Sequence, residues 1–287
     1  MGHHHHHQAT KNIGVAFFLN LSFTIIEFIG GILTNSVAIL SDAIHDLGDS
    51  VALGSSWYLE KISNQKANKK FTFGYRRLSI ISAFLNCIIL LLGSVIIIVE
   101  AIKRIMNPEV VDVQGMMYLA ILGIIVNSIG AWKVIGGKSL NERTISWHLL
   151  EDVLGWVAVL IGSIVMSFYP LYWIDTFLSI AIALFISYKV LGRFKESFLI
   201  LAQTVPKNIS LDEIEKNILE IQNVISTHQT LLWSLDEENL VFSSHIVIEK
   251  NHSDLLPSIQ SVLKNQGIHH QTLQLETEDN NCEGAEK

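Results

Sequence analysis

Two pairs of residues in this chain have the chemistry and the spacing to hold a divalent metal ion. His45 and Asp49 are four positions apart, and so are His148 and Asp152. On an α-helix that interval stacks both side chains on one face, one turn apart. Each pair offers an imidazole nitrogen and a carboxylate oxygen, which is half of a tetrahedral site. Facing halves would give two histidines and two aspartates, a set suited to zinc at about 2.0–2.2 Å, whereas magnesium and calcium call for more oxygens. A helix-stabilising contact or a solvated cavity would account for one such pair. Two identical pairs on two apolar segments favour one shared site.

The elements that must position these residues are apolar. Of 287 residues, 49 % are hydrophobic and 16 % charged, and the mean hydropathy is +0.39. A bilayer core of ~30 Å needs roughly 20 apolar residues per helix. Runs of that length occur at about residues 13–33, 36–59, 78–102, 114–135, 147–168 and 172–194. The expected architecture is therefore an all-α, six-helix transmembrane domain over residues 12–204, followed by a domain over 205–287 with a flexible end. An ionised side chain in hydrocarbon costs at least ~2.5 kcal/mol, so the acids and histidines inside the spans read as functional.

Orientation follows from the basic residues. Lys61, Lys66, Lys69, Lys70, Arg76 and Arg77 fill the loop between the second and third spans, and Lys133, Lys138 and Arg143 mark the loop between the fourth and fifth. Positive loops stay in the cytoplasm, which puts both termini there. Lys103 and Arg104 break the pattern, and local pairing with Glu100, Glu109 or Asp112, or snorkelling, explains them. Residues 1–11 form a His-rich tail. His3 to His7 are either an expression tag or a native metal-collecting segment, and the missing protease-site linker favours the second.

After Leu201 the pattern shifts to short amphipathic elements. Ser210 and Glu213 form a capping box ahead of Leu211, Ile214, Ile218 and Ile221. Strands are expected at 226–235 and 240–248, a helix at 253–265 and a last strand at 268–276. This region holds 14 acidic against 5 basic side chains, a balance that suits cations and argues against a nucleic-acid partner. Cys87 lies in a span and Cys282 near the end, so no disulfide framework is expected.

Other polar residues in the spans have subsidiary readings. Asp42 suits water-lined access, Asp46 and Glu151 suit pairing or helix-end roles, and Asn20 with Glu27 suits hydrogen bonding between helices. Gly30, Gly31 and Gly155 suit close helix packing.

At these residues the sequence resembles the cation diffusion facilitator family, which includes bacterial cobalt–zinc–cadmium exporters and animal zinc transporters. Glu27, Gly30, Gly31, the run Asn35 to His45 and then Asp49 resemble the family's signature segment. Phe73-Gly74-Tyr75-Arg76-Arg77 resembles its loop motif, Asn86 falls at a family asparagine position, and His148 with Asp152 matches its fifth-span motif. The resemblance implies a homodimer with ferredoxin-like α+β cytoplasmic C-terminal domains, in a bacterial inner membrane. It implies zinc as the transported substrate and a regulatory ion, with cadmium or cobalt also carried, and no organic cofactor. In the tail it implies metal binding by His228, His245, His270 and Glu276, with Cys282 as a substitute donor, since the position two before Trp233 is Leu231 rather than histidine.

Metal ligands must be deprotonated, so protons compete with zinc and are the expected counter-ion in alternating access. An intramembrane zinc enzyme fits less well. No His-Glu-x-x-His pattern occurs, and four protein ligands leave no position for a catalytic water.

Overall fold

The computed structural model describes the backbone of residues 3–63, 67–134, 140–236, 239–249 and 255–277. Side chains are described within these ranges except at 3–17, 19, 53, 56, 57, 59–61, 63, 133, 134 and 140–149. Two compact units emerge, Met1–Lys61 with Ser82–Phe194, and Ile62–Ile81 with Lys195–Lys287.

The helices are α1 (His3–Thr34), α2 (Val37–Ser63), α3 (Arg77–Met106), α4 (Val113–Val134), α5 (Leu140–Phe168) and α6 (Trp173–Leu201). Among the described residues, Arg77–Met106, Val113–Trp132, Leu150–Phe168 and Trp173–Leu201 are long and apolar enough to cross a membrane, and Asn20–Thr34 is a shorter apolar stretch. Large apolar side chains such as Leu92, Ile96, Ile129, Leu154 and Leu184 stay exposed along these helices. So much outward apolar surface is stable against lipid and not against water.

The helix interiors are packed through small residues. A Cβ on Gly123 of α4 would lie 2.3 Å from the fully buried Trp156 ring of α5. Gly30 meets Leu119 and Gly31 meets Leu40 in the same way, as expected of a close-packed first span. Gly155 does not share that role, because a Cβ there would meet nothing within 4 Å. Phe23, Ile39, Met116, Trp156 and Val159 join α1, α2, α4 and α5 in one buried cluster.

The α1–α2 corner is built by polar groups. Asn35 takes a left-handed φ of 54°. The Ser36 amide donates to Gly31 O at 3.0 Å and the Asn35 amide to Ile32 O at 3.2 Å, the paired bonds of a Schellman stop. Arg104 holds this turn, donating to Asn35 O and Oδ1 at 2.6 Å each and pairing with Glu109 at 3.2 Å. Lys103 pairs with Glu100 at 3.4 Å. The two bases that broke the loop pattern are thus matched by the nearby acids.

The C-terminal part is a small mixed α/β structure in the expected order: α7 (Leu211–Leu219), β1 (Val224–Ser234), β2 (Leu240–Ile248), α8 (Leu256–Asn265) and β3 (His270–Thr277). Ser210 caps α7, accepting from the Glu213 amide at 3.3 Å. β1 and β2 pair antiparallel, while β3 joins β2 parallel after the crossover through α8. Ile214, Ile218, Phe242, Ile246, Ile259 and Leu263 are buried as its core.

Candidate metal centre

The first cluster of metal-ligating groups sits on α2 and α5. α2 is started by Ser36, whose Oγ accepts from the Ile39 amide at 3.2 Å, and by Asp175 of α6, which accepts from Ser36 Oγ at 2.6 Å and the Val37 amide at 2.9 Å. A carboxylate over these unsatisfied amides stabilises the helix start and its dipole. Two turns further on, His45 Nε2 and Asp49 Oδ2 are 3.6 Å apart. Donors on a tetrahedron with zinc bonds of about 2.0–2.2 Å stand about 3.3–3.6 Å from one another. That pair already has the separation of two ligands on one ion.

Asp152 of α5 completes the approach, since ligand atoms of His45, Asp46 and Asp152 all lie within 4.8 Å of one another. Asp49 does not stand in this group with Asp152, whereas Asp46, read from the sequence as a pairing or helix-end residue, does. Its only sequence signal is position, one residue after His45 and three before Asp49. The side chain of His148 lies outside the described residues, and its backbone belongs to α5, one turn before Asp152.

The surrounding polar groups support this cluster rather than add to it. Asn20 of α1 donates to Asp46 O at 3.1 Å and to Ser50 Oγ at 3.0 Å, the interhelical bonding expected of it. Glu27 is buried at 1 % exposure, close enough to Asp42 and Asp152 for their charges to bear on it and to Asp46 for hydrogen bonding. So many acids in one dry place repel one another, and a dication would relieve that repulsion. Glu151 points away and pairs with Lys189 of α6, the pairing role read for it. Asp175 was missed by the sequence reading, because an acid in a first helical turn looks ordinary.

A second cluster forms on the C-terminal sheet. His228 of β1 and His245 of β2 are direct register partners, which sets their rings on one face with centroids 5.2 Å apart. Glu276 of β3 lies two residues past Gln274, the register partner of His245. Its buried carboxylate meets His245 Nδ1 at 2.7 Å and His228 Nε2 at 3.4 Å, and accepts from Gln274 Nε2 at 2.8 Å. His270 does not join them. It pairs in register with Val241, four residues up β2 from His245, and its ring packs edge-on against Phe73 at 6.0 Å. Cys282 lies outside the described residues.

Membrane-length helices around an acid and histidine cluster define an integral membrane protein with a candidate cation site in its helical bundle. The comparisons agree: the description "Cation efflux transmembrane domain" matches residues 13–202. The chain belongs to the cation efflux, or cation diffusion facilitator, family of membrane transporters, and not to a family of enzymes. It is 35 % identical over 99 % of its length, and 95 % of the relative's, to a "Cadmium, cobalt and zinc/H(+)-K(+) antiporter" of Bacillus subtilis strain 168. It is 32 % identical to the metal cation efflux system protein CzcD of Cupriavidus metallidurans, covering 99 % of this chain and 92 % of that one. Identity to the zinc transporter ZitB of Escherichia coli K12 is 29 %, covering 100 % and 95 %.

Proposed function

We propose that this chain exports divalent cations, zinc foremost, in exchange for protons, by alternating access around a site made of His45, Asp49, His148 and Asp152. The observation that carries this reading is the meeting of His45, Asp46 and Asp152 from two helices inside an apolar bundle. The names of the relatives support it, since one is an antiporter of cadmium, cobalt and zinc against protons and potassium and another a zinc transporter.

In this reading α1 to α6 are six spans within residues 12–204, with both termini in the cytoplasm of a bacterial inner membrane. Residues 205–287 form a ferredoxin-like cytoplasmic domain through which two copies dimerise. His228, His245 and Glu276 bind a regulatory ion there, their number being too few to close a tetrahedral site without a further donor. Cadmium and cobalt are secondary substrates.

The mechanism follows from ligand chemistry. Carboxylates and neutral imidazoles desolvate and bind the cation from the cytoplasmic side, and ligation releases protons. The helices then rock, and protons arriving from outside compete for the same nitrogens and oxygens, so the ion leaves. Close contacts at Gly30, Gly31 and Gly123 allow helices to slide without opening large voids.

The test is zinc, cadmium and cobalt uptake into proteoliposomes under imposed pH gradients, for the parent and for Asp49→Ala and His148→Ala. Zinc flux should rise with a proton gradient opposing it and vanish in both variants. Zinc binding without flux would make the protein a sensor, and flux indifferent to the gradient would remove proton coupling.

A further inference from the structure

Residues 67–76, the described part of the loop between α2 and α3, are tied together by hydrogen bonds, and transport chemistry gives them no task. Asn68 Oδ1 accepts from the amides of Lys70 and Phe71 at 2.9 and 2.8 Å, while its Nδ2 donates to the Tyr75 hydroxyl at 2.8 Å. Gly74 turns the chain at a φ of 75°, and Arg77 opens α3. These bonds close one wall of a cavity of about 360 Å³, whose other wall is Gln203 with Trp233 and Leu235.

The cavity's chemistry is one-sided. Lys70, Arg76 and Arg77 line it, and among the described residues no acidic side chain does. Among the described residues these three cations form no ion pair with a carboxylate. Gln203, two residues past the end of α6 with a φ of 58°, sets its side-chain amide 3.2 and 2.9 Å from Arg77 Nη1 and Nη2, and the amide orientation that satisfies both partners is the one with its oxygen accepting from the guanidinium. That contact fixes the guanidinium without neutralising it. Clustered positive charges repel one another unless an anion joins them, and two guanidinium forks with an ammonium match the oxygens of a phosphate.

The remaining side is apolar. Leu78 and Ile81, three residues apart on α3, share one face, and Ile81 is 40 % exposed. From this end α3 continues as a membrane-length helix. In the topology proposed above, this end of α3 lies at headgroup level and its apolar face leads towards the acyl chains.

We propose that this cavity binds a phosphate group at the membrane boundary, gripped by Arg76, Arg77 and Lys70 and carried by an anionic phospholipid whose chains run along Leu78 and Ile81. Anionic headgroups are concentrated at the cytoplasmic leaflet, where basic residues meet them. The site is independent of the metal ligands.

The test uses the full-length protein in detergent, with native mass spectrometry of bound adducts. Phosphatidylglycerol, diacylglycerol and inorganic phosphate are titrated separately, and phosphate is also titrated against bound phosphatidylglycerol. Phosphatidylglycerol should bind at least about tenfold tighter than diacylglycerol. The double variant Arg76→Gln/Arg77→Gln should lose about tenfold or more, while Lys264→Gln on α8 should match the parent. Inorganic phosphate binding alone and displacing the lipid completely would keep the phosphate site and make a free anion its ligand. Equal binding of both lipids without phosphate binding overturns the proposal, as does a double variant that binds like the parent. Should that variant fail to fold, Lys70→Gln decides: a loss of about threefold supports the site and no change overturns it.

Discussion

Asp175 and Ser36 lie 139 residues apart, yet the Ser36 hydroxyl donates to the Asp175 carboxylate at 2.6 Å. The same carboxylate accepts from the amides of Val37 and Ala38 at 2.9 and 3.3 Å. α6 therefore holds the first turn of the helix that carries His45, and the position of the candidate metal centre depends on a residue that touches no metal.

Asp175→Ala should lower stability by about 1–3 kcal/mol, because it strips a buried cap from two amides and a hydroxyl. Asp175→Asn keeps one acceptor and should recover part of that loss. Thermal unfolding in detergent, followed by tryptophan fluorescence, reads both, and a parent-like Asp175→Ala would show that the cap is dispensable.

Asp46 separates two descriptions of the membrane cluster. If its carboxylate shares the ion with His45 and Asp152, Asp46→Asn should weaken zinc binding about tenfold or more, approaching the effect of Asp152→Asn. Calorimetric titration of each variant measures this. An Asp46→Asn variant with unchanged zinc affinity would confine Asp46 to a supporting role.

Two glycines should respond oppositely to the same substitution. Gly123→Ala forces a methyl against the Trp156 ring, where the space is 2.3 Å, and overpacking of this kind costs about 1–3 kcal/mol. Gly155→Ala enters open space and should be neutral or stabilise by up to about 1 kcal/mol through helix propensity. Melting temperatures of the purified variants decide it, and a stabilised Gly123→Ala would contradict the packing described.

The tail histidines should also divide. His245→Ala and Glu276→Gln remove donors that already meet, so each should abolish one zinc equivalent in a stoichiometric titration. His270→Ala should leave that equivalent in place, because the ring packs against Phe73 instead of facing Glu276. Loss of the tail ion in His270→Ala would place its ligands elsewhere.

Much of this was legible without coordinates, because the relevant information is local. Apolar runs of membrane length follow from the hydropathy of consecutive residues, and four-residue spacing puts His45 and Asp49 on one helical face whatever the helix packs against. Ser210 and Glu213 cap α7 through bonds within one turn, and strand alternation with a polar turn marks β1 and β2. Each of these depends on interactions over a few residues.

Tertiary structure alone decided which faces meet. Helical spacing says nothing of whether Asp46 or Asp49 turns more fully towards Asp152, and strand alternation cannot tell that His228 pairs with His245 while His270 pairs with Val241. Gly30 and Gly155 look alike in sequence, yet only the first is pressed against a neighbouring helix. Asp175 looked like an ordinary first-turn acid until α2 was brought to it. Contacts between residues far apart in the chain depend on how whole helix and sheet surfaces complement one another, and no local pattern carries that information.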